Sequence, residues 1–390
     1  MRGLAGSFRT AAVSFLLLAT LALGAANGEG IETRAKHALL IDADTATVLF
    51  AKDENARIPP ASLAKLMTME VVFSALKAGQ LKLADTFHVS EDAWRRGGAP
   101  SGTSTMFAEL NSNIALENLI RGVIIQSAND GCIIIAQGMA GSEVAFAQLM
   151  NQRAREIGLT GSNFTNSTGL PDPGQYVTIR DLARLARHII VEYPEYFAYY
   201  SEPEFTWNNI NQQNRNPLLK MGIGADGMGT GFTKESGFGI VGTAKRNNQR
   251  LIAVLGGMVS ENERADETRR MLDWGTRAFE KVRLFEADEI IGLANVYGGV
   301  KPGIGVTGKN AVDIYLPVGF RDKLRARIVY TGPLMPPVNA GDRVATLKVW
   351  IGEELSQETP LYAAETVQQG GIRRRATDAA KELLFGWIRF

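Results

Sequence analysis

Cysteine occurs once in the 390 residues, at Cys132, so no intrachain disulfide can form in any compartment. Inside its apolar surroundings, GCIII, it reads as a small buried hydrophobe rather than a reactive thiol. Histidine occurs three times, at His37, His88 and His188. A Ser-His-Asp triad has only these three to draw on, and neither H-E-x-x-H nor a Cys/His set with zinc spacing is present. The sequence therefore calls for no metal and no cofactor. A net charge of +1 gives no general attraction to nucleic acid. Internal repeats and low-complexity segments are absent too. The run AAVSFLLLATLALGAA falls short of the roughly 20 apolar residues that a spanning helix needs. It follows Arg2 and Arg9 and leads to small residues at Gly24 to Gly28, so residues 1–28 read as a secretory signal peptide. An uncleaved anchor is the other reading. With the signal removed, the mature protein works outside the cytoplasm, where ATP and NAD are not the usual substrates.

What is present fits a globular protein: 45% hydrophobic and 21% charged residues, with a length that favours two domains. HALLIDADTATVLFAKD predicts a hairpin turning near Asp42 to Thr45. After Pro59-Pro60, ASLAKLMTMEVVFSALKAG predicts a helix ended by Gly79, apolar nearly all round and hence buried. The stretch 115–141 is helical on both sides of a polar break at 127–131, and two amphipathic helices follow. GFGIVGTAKRNNQRLIAVLGGM predicts a second hairpin, and ENERADETRRMLDWGTRAFEKV a charged helix. Beyond residue 284 short alternating segments predict a small all-β module, and TDAAKELLFGWIRF a last amphipathic helix preceded by Arg373, Arg374 and Arg375. The expected class is α+β.

Three stretches carry chemistry. In PASLAK, Ser62 and Lys65 stand three apart, on one face of a helix, so a hydroxyl and an amine can meet. A buried lysine loses its charge more easily and can then take the serine proton. Ser62 as a plain N-cap with Lys65 on the surface stands as the other reading. A second S-x-x-K, Ser74 with Lys77, falls at the helix end, where a solvated cation suits the helix dipole. SAND, with Ser127 and Asn129, interrupts two apolar helices; its side chains face a partner or ligand, or simply make a turn. GIGADGMGTG holds five glycines. Gly222, Gly224 and Gly227 satisfy G-x-G-x-x-G, but a strand follows where a dinucleotide site needs a helix. Glycines beside a strand instead let a ligand approach closely.

The order S-x-x-K, S-x-N and x-T-G before a hairpin resembles that of the penicillin-recognising serine acyltransferases. At finer grain the chain resembles the low-molecular-mass penicillin-binding proteins, the serine-type D-alanyl-D-alanine carboxypeptidases. PASLAKLMT, LIRGVIIQSANDGC, NRNPLL, DGMGTGFTKESGFGIVGTA and LDWGTRAFE carry the likeness. The resemblance implies a DD-peptidase domain over 29–283, a small β-rich domain over 284–370 and a membrane-anchoring amphipathic helix over 371–390. It implies that Ser62 attacks the bond between two D-alanines at the end of a peptidoglycan stem peptide, and that Lys65 takes its proton. Ser127 relays a proton to the leaving D-alanine, and Asn129 orients the substrate amide and Lys65. The N–H groups of Ser62 and Phe232 form an oxyanion hole, and Thr230 and Arg215 hold the terminal carboxylate. β-Lactams acylate the same serine. The implied place is the periplasm, on the outer face of the inner membrane.

One departure stands out. The family has Lys-Thr-Gly where this chain has Gly229-Thr230-Gly231. The loss of one charge-assisted hydrogen bond is worth about 1.5–3 kcal/mol, so attenuated activity is expected. Without a neighbouring cation Lys65 should also hold its proton more tightly. Lys220 and Lys234 are the nearest lysines in sequence. A non-catalytic peptidoglycan-binding or regulatory protein of the same fold is the alternative. A class A β-lactamase is disfavoured, because NSTGLPDPGQYVTIRD lacks the deacylating glutamate.

Overall fold

The computed structural model describes residues 31–246 and 248–385; the signal expected over 1–28 lies outside them. The first hairpin, β1 (His37–Asp42) and β2 (Val48–Lys52), turns where Asp42 Oδ1 accepts from the N–H and hydroxyl of Thr45. In β1, Leu39 and Ile41 enter one core, while Ala38 and Leu40 enter a second. Successive side chains of a strand point to opposite faces, so this strand is buried on both. Pro59-Pro60 then leads into a 3-10 turn, Ala61–Ala64, and only after it does α1 (Lys65–Lys77) begin. The predicted helix is therefore tighter in its first turn than expected. Ala61 has φ +50°, outside the range alanine ordinarily adopts.

The middle of the chain is helical. β3 (Thr86–His88) pairs with β4 (Asn113–Ala115) around α2 (Glu91–Gly97). α3 (Leu116–Gln126) and α4 (Asn129–Ala140) flank the polar break, and α5 (Glu143–Glu156), α6 (Ile179–Glu192) and α7 (Pro194–Phe197) follow. α1 packs among α3, α5 and α6, which is why it is apolar all round. After the ribbon of β5 (Glu204–Trp207) and β6 (Ile210–Gln213) the chain returns to the main sheet as β7 (Ala225–Thr233), β8 (Gly237–Arg246) and β9 (Gln249–Met258). The sheet order is β2-β1-β9-β8-β7, antiparallel throughout. α8 (Glu261–Ala278) covers one face and α6 the other.

α8 stops at Ala278, short of the sequence expectation, and FEKVRLF forms β10 (Phe279–Phe285). The sheet of the second part is built from β11 (Ile290–Asn295), β12 (Gly303–Thr307), β14 (Leu324–Val329), β15 (Arg343–Ile351) and β16 (Glu354–Ala363), in the order β11-β12-β16-β15-β14. β10 pairs with β13 (Val312–Pro317), so the β-rich part begins at Phe279, before the expected 284. The last helix, α9 (Ile372–Phe385), takes Arg373, Arg374 and Arg375 into its first turns instead of following them. Trp387 and Ile388 lie outside the described residues.

Candidate active site

Ser62 sits in the 3-10 turn and Lys65 opens α1. The i, i+3 spacing brings Lys65 Nζ to 2.9 Å from Ser62 Oγ. A second bond, from Nζ to the carbonyl of Thr168 at 2.7 Å, fixes the amine. Lys65 is only 5% exposed. Burial brings its pKa down to about 8; the Arg215 guanidinium pushes the same way, against the Asp130 carboxylate. The surface-lysine reading of this motif is thereby excluded. The second S-x-x-K makes no such pair: Lys77 is exposed and bridges to the Glu192 carboxylate at the end of α6.

The SAND break places its residues unequally. Ser127 ends α3 at φ +59°, and its Oγ has no hydrogen-bond partner among the described residues. Asn129 donates through Nδ2 to Thr103 Oγ1 at 3.0 Å rather than touching Lys65, and its Oδ1 is left unpaired. Asp130, quoted within the motif but given no role, is fully buried. Its carboxylate accepts from the hydroxyl of Thr105 and the N–H groups of Met106, Ala108 and Gly131 at 2.6–3.0 Å. That pins the 103–108 loop against the start of α4.

The glycine-rich stretch is itself a strand, not the approach to one: Gly229, Thr230, Gly231 and Phe232 lie on the edge strand β7. A Cβ at Gly231 would come within 3.1 Å of the Ala61 side chain and 3.2 Å of the Pro60 carbonyl, so glycine lets the strand lie against the Ser62 turn. A Cβ at Gly229 would meet nothing within 4 Å. Phe232 is half-exposed and stacks on Phe238, centroids 4.2 Å apart.

These elements enclose a cleft of about 440 Å³ lined by Ser62, Ser104, Ser127, Arg215, Thr230, Gly231, Phe232, Phe238, Glu261 and Arg264. A nucleophile, an unpaired hydroxyl and two guanidinium groups thus meet in one hollow, with the base Lys65 buried and bonded to Ser62. Among the described residues no three His, Cys, Asp or Glu side chains cluster as a metal site requires.

The family D-alanyl-D-alanine carboxypeptidase matches residues 24–259, and the penicillin-binding protein 5 C-terminal domain matches residues 279–369. The chain belongs to the D-alanyl-D-alanine carboxypeptidase family. It is 35% identical to D-alanyl-D-alanine carboxypeptidase DacC of Escherichia coli, over 100% of this chain and 97% of that one. Penicillin binding protein 5 from Haemophilus influenzae, a solved structure, superposes with a TM-score of 0.82 at 33% identity, covering 88% of this chain and 100% of its own. Penicillin-binding protein D2 from Listeria monocytogenes in the cefotaxime-bound form superposes at 0.57 and 25% identity, over 63% of this chain and 98% of its own. The fold is that of the penicillin-binding proteins, with the all-β C-terminal domain in place.

Within this carboxypeptidase fold the structure adds residues that sequence reasoning missed. Arg264 is 6% exposed and lines the cleft from α8 without a carboxylate in ion-pair reach among the described residues. Its signal was available: Arg264, Thr268, Met271, Leu272 and Gly275 form one buried helical stripe, and a cation on such a stripe is out of place. The Thr168 carbonyl had no signal, since backbone acceptors carry no residue identity. Neither nearby lysine lines the cleft: Lys220 donates to Gln213 on the surface, and Lys234 borders a separate groove with Pro171 and Glu235.

Proposed function

We propose that Ser62 is the acylated nucleophile of a D-alanyl-D-alanine carboxypeptidase acting on peptidoglycan stem peptides, with Lys65 as its base. The contact that carries this is the 2.9 Å approach of a buried lysine amine, itself anchored on a carbonyl, to the Ser62 hydroxyl. As Ser62 Oγ bonds the carbonyl carbon between the two D-alanines, its proton passes to Lys65 Nζ. Ser127, with its unpaired hydroxyl in the cleft, relays that proton from Lys65 to the leaving amine, which leaves Lys65 free for the second half of the reaction. The N–H groups of Ser62 and Phe232 receive the oxyanion; fixed donors of this kind are worth about 3–4 kcal/mol. Thr230 and Arg215 hold the terminal carboxylate. Asn129 orients the substrate amide. Water then adds to the acyl carbon and Ser62 leaves with its proton restored.

β-Lactams should acylate the same serine, in keeping with the cefotaxime-bound relative. The chain works as an exported, periplasmic protein held at the outer face of the cytoplasmic membrane by its tail. Gly229 is the observation behind a non-catalytic reading. The two separate on one measurement: a fluorescent penicillin followed by the mass of the Ser62 peptide. The penicilloyl adduct on Ser62, absent in Ser62→Ala, is the expected result. No adduct after hours of exposure would leave only the binding protein.

A further inference from the structure

Gly229 lines a small cavity of about 30 Å³ between β7, the end of α3 and the start of α1. Lys65 and Arg215 both line it, with Ser62, Ser127 and Thr230. Arg215 is held in place twice. Its N–H donates to the Ile125 carbonyl at 3.1 Å, and Nη1 donates to Ser104 Oγ at 2.7 Å. No carboxylate reaches it among the described residues; Glu261, across the cleft, acts on it only through space.

The groups facing Lys65 are few. Its own turn contributes the Ser62 hydroxyl, and the loop before α6 the Thr168 carbonyl. α4 contributes Cys132 and Asp130, and the segment after β6 contributes Arg215. The Asp130 carboxylate is already committed to four donors. Burial pushes the Cys132 thiol up to about 12, so it stays neutral. Asp130 and Arg215 are thus the full charges that face Lys65, and of the two Arg215 is the one that borders the cleft.

We propose that Arg215 is a positioning residue that couples occupancy of the cleft to the base strength of Lys65. In the free site its cation disfavours a second positive charge on Lys65 and keeps the amine available. When the terminal carboxylate of the substrate pairs with Arg215, that repulsion is offset, and Lys65 becomes a stronger base at the moment Ser62 must give up its proton. Linkage requires the converse as well: protonating Lys65 tightens carboxylate binding. One guanidinium then does what would otherwise take a lysine at 229 as well. This rests on the reading of Ser62, Lys65 and the terminal carboxylate given above.

The test is rapid-quench acylation by a carboxylate-bearing penicillin between pH 6 and pH 10. The second-order constant reports the free site and the saturating rate reports the complex. The acid limb of the saturating rate should lie roughly one pH unit above that of the second-order constant. In Arg215→Gln the two limbs should coincide, both above the wild-type free-site limb. Adding Gly229→Lys to that variant should lower the second-order limb again and recover acylation to within about threefold of wild type. Coincident limbs in the wild-type protein overturn the coupling, and that comparison needs no variant to fold. Limbs unmoved by Arg215→Gln overturn it too. Absence of any Ser62 adduct at every pH is a different failure, of the underlying site, and removes both.

Discussion

Lys65 answers two demands that pull against each other. To act as a base it must lose its proton, and to stay near Ser62 it must be bonded. With the amine charged, Nζ donates to Ser62 Oγ and to the Thr168 carbonyl. With the amine neutral, one N–H still serves the carbonyl while the lone pair accepts from the Ser62 hydroxyl, so the geometry suits both states. With the pKa at about 8, roughly one molecule in ten carries the free amine at pH 7, against about one in 2,500 for an ordinary lysine. Asp130 supports this arrangement from behind. Replacing it by asparagine removes acceptor capacity and sets an NH₂ among N–H groups that need an oxygen. Asp130→Asn should destabilise the fold by roughly 2–4 kcal/mol. Denaturant unfolding measures it, and a loss below about 0.5 kcal/mol would mean the 103–108 loop is held by other contacts. Acylation should fall as well, because Ser104, which anchors Arg215, belongs to that loop.

The Ser62 turn owes its shape to its neighbours more than to its own residues. The loop before α6 is tied to α1 by Thr68 Oγ1, which donates to the Ser167 carbonyl at 2.7 Å, and by Lys65 on Thr168. Gly169 follows at φ +82°, and a Cβ there would lie 1.8 Å from the Ala61 carbonyl oxygen. Gly169→Ala therefore forces backbone against backbone. It should cost roughly 2–4 kcal/mol and slow acylation by at least tenfold, read from the thermal midpoint and the penicillin rate. A variant as fast and as stable as wild type would show that the turn yields without effect on Ser62. The same tertiary dependence explains what the sequence could and could not tell. The two hairpins, the buried α1 and the Ser62–Lys65 pair were legible because periodicity and spacing are local. β7 was not, because glycines at 227, 229 and 231 argue against a strand by propensity; the strand exists because β8 pairs with it and the Ser62 turn needs close approach. The 3-10 opening of α1, the Thr168 anchor and the guanidinium of Arg264 likewise depend on elements distant in sequence.

The β-rich part is joined to the rest through a shared core. Phe279 and Tyr315 pack with Leu40, Leu251 and Met271 beneath α8, and Lys281 bridges Asp44 at 2.8 Å and Asp313 at 3.2 Å. α9 is in turn fastened at its base, where Asp378 accepts from the Gly298 N–H at 3.0 Å. Its first residue, Ile372, is 78% exposed. In the sequence, Ile372, Ala376, Ala379, Ala380, Leu383 and Leu384 recur at helical spacing, with Arg373, Arg374, Arg375 and Lys381 between them. Such a helix is suited to lie in a membrane interface, apolar stripe down, with the cations near anionic headgroups at roughly 1 kcal/mol each. No single helix among the described residues is long and apolar enough to cross a bilayer. If the tail is the anchor, deleting the residues after Gln369 should release the signal-free protein from sedimenting vesicles that contain anionic lipid, and raised salt should weaken binding of the intact chain. Penicillin acylation should stay within about twofold, because the Ser62 cleft draws nothing from β11 to α9. A truncated protein that still sediments with vesicles would assign membrane contact elsewhere and leave α9 as a strut of the β-rich part.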